Sequence, residues 1–236
     1  MRSVSVTRRE FFGFAVAAAT VGVGLSAAPA AAQSFGTMVD YSAGVPSAAA
    51  IKAAGHIGVI RYVSDRRPGA EWMAGKPLRA AEVEDLRAHG LSIVSNYQFG
   101  KADTADWRGG REAGKRHADR GWALHSAAGG PDTAPIYASI DDNPSQREFD
   151  EMIAPYIEGW ESVLGADLVG IYANTPTIDR AIDAGLASWF WQHNWGTPKG
   201  HVHGNAHLHQ FEIDKRAIDG IGVDLNRVLA QDYGQW

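Results

Sequence analysis

From residue 36 onward, short β-like runs trade places with longer stretches at helical spacing. Strands are predicted at residues 36–41, 57–63, 91–99, 136–142 and 168–174, and helices at 46–54, 79–89, 104–127, 145–164 and 176–184. The last quarter changes character. Residues 189–195, 207–212 and 222–228 read as three more strands, with almost no room for helices between them. Eight strands in βα alternation imply a parallel sheet. They fit a compact (β/α)8 TIM-type barrel whose helices are short or missing in the C-terminal quarter. A doubly wound open sheet would usually bring a glycine-rich phosphate loop after the first strand, and Asp40-Tyr-Ser-Ala-Gly-Val-Pro46 is not one.

The most informative strand is the fourth. Side chains alternate along a strand, so Tyr137, Ser139, Asp141 and Asn143 share one face, while Ile136, Ala138 and Ile140 make the other wholly apolar. A greasy face and a polar face ending in acid suit a barrel strand with helices outside and a site at its C-terminal mouth. The competing reading is an Asx-Pro turn in which Asp and Asn merely cap the next helix. Other strands repeat the pattern. Val169, Ile171 and Ala173 alternate with Gly170, Tyr172 and Asn174, and Val223 and Leu225 with Asp224 and Asn226. Reading the strand ends gathers Asp40, Arg61, Tyr97 or Gln98, Asp141 with Asn143, Tyr172 with Asn174, Trp191, Gln210 with Glu212, and Asp224 with Asn226. Amides and acids for hydroxyls, with aromatic faces for a pyranose, are what a sugar site requires.

The N-terminus changes what must be folded. Thr7-Arg8-Arg9-Glu10-Phe11-Phe12, an apolar run of small residues and Ala30-Ala31-Ala32 read as a twin-arginine export signal cleaved after residue 32. That run is too short and too rich in Ala and Gly for a membrane span. Residues 33–236 are then one domain, exported to an extracellular, periplasmic or cell-wall location, with no integral membrane span. Of the 22 basic and 27 acidic residues, Arg2, Arg8, Arg9 and Glu10 leave with the signal, so the remainder carries 19 and 26, a net charge near −7. Such a balance lacks the basic footprint of a nucleic-acid binder. No cysteine is present, so neither disulfides nor thiol chemistry enter. His201, His203, His207 and His209 form two His-x-His pairs, but alternation turns His207 and His209 away from Gln210, and no metal or other cofactor is assigned.

Asp40-Tyr-Ser, Tyr-x-x-x-Asp141-x-Asn143, Trp191, His209-Gln210-Phe211 and Gly222-Val-Asp224-Leu-Asn226 occur in one order. That order resembles the family 25 glycoside hydrolases, the lysozyme-type muramidases. More closely still, it resembles their exported relatives, the glycoside-hydrolase-like domain once called domain of unknown function 1906. The resemblance implies hydrolysis of cell-envelope glycan, plausibly peptidoglycan, by carboxylates. Asp40 and Asp224 would be mouth carboxylates and Asp141 the first member of the mid-chain Asp-x-Glu pair. From the strand ends, Asn143, Arg61, Tyr97, Tyr172, Asn174, Trp191, Gln210 and Asn226 are the candidate substrate contacts. The Glu that serves as general acid falls on Asn143, and an amide cannot deliver a proton. Asp141 raised in pKa by its neighbours, Glu212 reaching in, or Asp142 turning inward could replace it. Otherwise the barrel is a glycan-binding or wall-remodelling accessory protein. The partner expected in either case is a cell-wall polysaccharide or oligosaccharide.

Overall fold

The computed structural model describes residues 34–236. The export signal and its cleavage point lie outside them. Eight strands close into one barrel: β1 (Gly36–Asp40), β2 (Gly58–Tyr62), β3 (Ser92–Tyr97), β4 (Ile136–Ser139), β5 (Val169–Ala173), β6 (Trp189–Gln192), β7 (Leu208–Ile218) and β8 (Ile221–Val228). Outside it lie α1 (Ala48–Ala53), α2 (Ala80–Ala88), α3 (Gly110–Ala127), α4 (Gln146–Glu148), α5 (Ala154–Leu164) and α6 (Thr175–Asp183). Each predicted strand segment overlaps an observed strand, though β7 runs six residues past the predicted end at 212, and β8 begins one residue before 222.

The (β/α)8 alternation does not hold, and the fold expectation is corrected here. β1 to β7 run parallel, but β8 is antiparallel to both β7 and β1. The barrel is a mixed one, and among the described residues no helix lies between β6 and β8. The cause is local. Asp219 and Gly220, at φ 51° and 76°, join Ile218 to Ile221 in a two-residue hairpin turn. A parallel return to the barrel would need a crossover of a dozen or more residues, and two are available. Reversal of β8 brings its earlier residues to the mouth, so Asp224 pairs with Asp40 across the closing seam and Asn226 pairs with Met38 one step deeper.

Alternation then sorts the side chains. Met38, Ile60, Val94, Tyr137, Tyr172, Trp191, Leu208 and Val228 fill the barrel interior. Val39, Val59, Ile93, Ile136, Ala138, Ile171 and Ala173 pack outward in the larger core with Ile157, Trp160 and Ile178 of the helices. Helix starts follow their caps. Ser47 and Asn174 accept the N–H groups of Ala50 and Thr177, and Ser145 and Glu148 form a capping box. The predicted helix at 145–164 is interrupted by a π turn over Phe149–Ile153. Pro155 has no N–H for a carbonyl one turn back, and the helix widens just before it.

Candidate functional site

A cavity of about 200 Å³ opens at the mouth, lined in part by Tyr62, Gln98, Asp141, Tyr172, Trp191, Gln210 and Asp224. Its floor is a hydrogen-bonded relay whose directions are fixed by chemistry. An indole can only donate, so Trp191 Nε1 binding Asn226 Oδ1 at 2.9 Å turns the amide Nδ2 toward Asp40, 2.8 Å away. Likewise the Tyr172 hydroxyl, 2.5 Å from Gln210 Oε1, leaves Gln210 Nε2 to donate to Asp40 Oδ2 at 3.0 Å and Asp224 Oδ2 at 3.3 Å. One amide nitrogen thus bridges two carboxylates.

Those carboxylates hold protons beyond the usual range. Burial first, then the neighbouring Asp224, pushes Asp40 up from 3.8 to about 7, against the hydrogen bonds from Asn226, Gln210 and Tyr62. Asp224 is also raised, chiefly by burial, while the Asp214 N–H at 2.9 Å opposes the rise. Asp224 faces the cavity; its strand partner Asp40 is 3% exposed. Asp141 has a different setting: its Oδ2 accepts from Gln98 Nε2 at 3.1 Å and lies 3.0 Å from Lys101 Nζ.

Several candidates lie elsewhere. Arg61 is fully buried, paired with Glu82 at 2.5 Å and donating to the Tyr41 and Gly75 carbonyls, so it braces the loop after β2 and has nothing left for substrate. Tyr97 faces outward, stacked on His117 and edge-on to Trp160; Gln98, one residue on, takes the inward place. Glu212 pairs with Arg216 at 2.6 Å and does not line the cavity. β4 ends at Ser139, so alternation does not carry Asn143 into the site. Its Oδ1 instead accepts from Asn174 Nδ2 at 2.8 Å, and Asn174 itself caps α6. Asp142 lies 3.8 Å from Arg108. His203, His207 and His209 bind separate partners, namely Asp179, the Phe190 N–H and Asn194. No group of three or more potential metal ligands occurs among the described residues.

Residues that strand reading missed come from irregular segments. Arg67, Trp72, Met73 and Lys76 reach the cavity from the loop after β2, and Lys101 from the loop after β3. Ile213 and Asp214 reach it from a bulge, where Glu212 and Arg216 of β7 face Leu225 and Val223 of β8. Between these pairs three residues of β7 face one of β8, and the surplus is pushed out over the mouth. The positive φ of Asp214, 56°, belongs to this bulge.

A barrel with convergent carboxylates, amides and aromatics at the parallel strands' C-terminal mouth is the framework of a glycoside-hydrolase-like protein. The family comparison makes this specific: residues 49–228 match the model of the Rv2525c-like, glycoside hydrolase-like domain, and the chain belongs to that family. It is 57% identical over 239 residues to a Mycobacterium tuberculosis protein named "Putative peptidoglycan hydrolase Rv2525c", covering 99% of this chain and 100% of that one. The crystal structure of the M. tuberculosis Tat-secreted protein Rv2525c with L-tartrate matches at TM-score 0.85 and 60% identity, over 86% of this chain and 100% of that chain. A bacterial lysozyme from Streptomyces coelicolor shares the fold at TM-score 0.53 and 17% identity, over 82% of this chain and 92% of the lysozyme.

Proposed function

We propose that the protein is an exported hydrolase of cell-envelope glycan, with peptidoglycan as substrate. The observation that carries this reading is the proton-retaining Asp40–Asp224 pair in the same mouth as Asp141. Glycosidic cleavage requires one acid to protonate the departing oxygen and one carboxylate to meet positive charge at the anomeric carbon. Asp224, facing the cavity and sharing Gln210 with Asp40, delivers the proton; burial, first among the causes, raises its pKa above the usual carboxylate range and keeps that proton available. Asp141, held by Gln98 and Lys101, supplies the opposing carboxylate. Tyr172 and Trp191, with ring centroids 4.1 Å apart, offer the apolar surface for a sugar ring. Export is supported by the Thr7–Phe12 twin-arginine pattern together with the Tat-secreted relative. The substrate is supported by that relative's name.

The test is purified protein on peptidoglycan and on chitin-type oligosaccharides, with Asp141→Ala beside it. Wild type should release reducing ends, and the variant should lose at least about a hundredfold in rate. Binding by both proteins without cleavage by either would replace this reading with that of a glycan-binding accessory barrel.

A further inference from the structure

Lys76 is the anomaly of the cavity. It is 2% exposed and lines the pocket, yet among the described residues no carboxylate lies within 4 Å of its Nζ. Its partners are neutral: the Gln98 carbonyl at 2.7 Å and the Tyr62 ring, with Nζ 3.9 Å from the centroid. Buried cations are ordinarily paired, because an uncompensated one forfeits its hydration. The consequence is visible in its acidity: burial, reinforced by Arg67 and Arg61 and opposed by Asp106 and Asp40, brings Lys76 down from 10.5 to about 7. Arg67 lines the same cavity and also has no carboxylate within 4 Å among the described residues. The two stand on the loop after β2, whereas Asp224 and Asp214 belong to the β7–β8 hairpin. The mouth is therefore bipolar, and only its acids are explained by bond cleavage.

We infer that Lys76, assisted by Arg67, is a specificity-determining residue that receives an oxyanion substituent of the substrate, a carboxylate or a phosphate borne on the sugar. This rests on the glycan reading above and deepens it: the preferred unit is an anionic sugar. A neutral sugar leaves the Lys76 cation buried and uncompensated, while an anionic one supplies the missing partner. The arrangement that presents Lys76 is built for the purpose. Arg61 holds the Gly75 carbonyl at 2.5 Å, and the Gly75 N–H binds Ser42 O at 2.9 Å, which fixes the backbone next to Lys76.

The test compares binding, by calorimetry, of four probes to the purified protein. They are an N-acetylglucosaminyl-N-acetylmuramic acid disaccharide, the same disaccharide with its carboxylate converted to a methylamide, chitobiose, and N-acetylglucosamine 6-phosphate. The free acid should bind at least about tenfold more tightly than its amide, the strength of one charge-assisted contact. A preference for the phosphate probe over chitobiose would place phosphate at the same position. Lys76→Met should bring the acid-to-amide ratio close to one. That variant leaves the Gln98 carbonyl still bonded to Ser64 Oγ at 2.7 Å, so folding survives; Arg67→Gln, expected to reduce the ratio in part, is the second variant. The wild-type ratio should also shrink as pH rises through the region where Lys76 loses its charge. The groups facing it are Asp40, Arg61, Tyr62, Arg67 and Asp106. Equal affinity for acid and amide, or an undiminished ratio in both variants, overturns the inference while leaving the glycan reading intact. Binding of simple carboxylates through Lys76 with no binding of any saccharide overturns the glycan reading instead.

Discussion

Asp40→Asn separates the charge of the floor from its shape. Asp40 Oδ2 accepts from both Gln210 and Asn226, and Oδ1 receives the Tyr62 hydroxyl at 3.4 Å. An asparagine carbonyl can take the first two bonds and its NH₂ can donate to the Tyr62 oxygen, so the network survives without the charge. In the folded protein Asp40 keeps its proton up to about pH 7, whereas the ordinary value for the group is 3.8. Folding therefore takes up a proton between those values, and stability falls as pH rises through that window. At about 1.4 kcal/mol for each pH step, the cost at pH 8 is on the order of 4 kcal/mol as an upper bound. Below pH 3.8 both states are protonated and the cost vanishes. The variant should therefore melt higher than wild type at pH 8, with the gain shrinking toward pH 4. It should also lose turnover, about a hundredfold near neutrality, because one of the two proton-holding carboxylates that Gln210 bridges is gone. Thermal melts at several pH values, with hydrolysis rates on the same preparations, read both effects. Destabilisation of the variant that grows as pH rises would refute the reasoning, since it would mean that Asp40 serves the fold as an ionised acceptor.

Two further outcomes follow from the same geometry. Trp191→Phe removes the donor to Asn226 Oδ1, which is fully buried, and should cost about 1–3 kcal/mol in denaturant titration. The freed amide can then turn its oxygen toward Asp40, so turnover should fall with stability. Gly220→Ala adds a Cβ with no atom within 4 Å, so its cost is the left-handed backbone alone, about 1–2 kcal/mol by thermal melt, with the β7–β8 register as the part disturbed.

Strand positions and facing were legible because period-two alternation is written directly in the side chains. Tyr137, Ser139 and Asp141 point inward, and Ile136 and Ala138 outward, as the pattern indicates. The hairpin that breaks the βα alternation was legible too, in Ile218-Asp-Gly-Ile221, a two-residue turn signal between apolar residues. It was obscured because Asp214, Lys215 and Arg216 interrupt the alternation where the bulge lies, so β7 reads as ending near Glu212. Tyr97 and Gln98 differ by one position, and a single step of register decides which of them meets the cavity. Trp72 and Lys76 carried no readable signal. They stand on a loop without period, and what brings Lys76 inward is Arg61 gripping a backbone carbonyl 14 residues away.

The amide at position 143 looks different once the end of β4 is known. Extending the alternation past Ser139 places residue 143 beside Asp141 and makes its identity decisive for proton delivery. In the structure the Asp142 N–H turns back to the Ile140 carbonyl, and Asn143 is drawn to the rim by Asn174. Gly196 lies so close that a Cβ there would fall 2.2 Å from Asn143 Oδ1. The Asn143 carbonyl is held by Asn174, whose own Oδ1 caps α6, so residue 143 is tied to the helix start and not to Asp141. Position 143 is thus occupied by structure, and proton supply falls to the other side of the mouth. There the antiparallel β8 sets Asp224 directly opposite Asp40, and Gln210 binds both. In a (β/α)8 barrel the eighth strand would run the other way and Asp224 would meet a different neighbour. The reversal that breaks the helical alternation is what assembles the proton-holding pair.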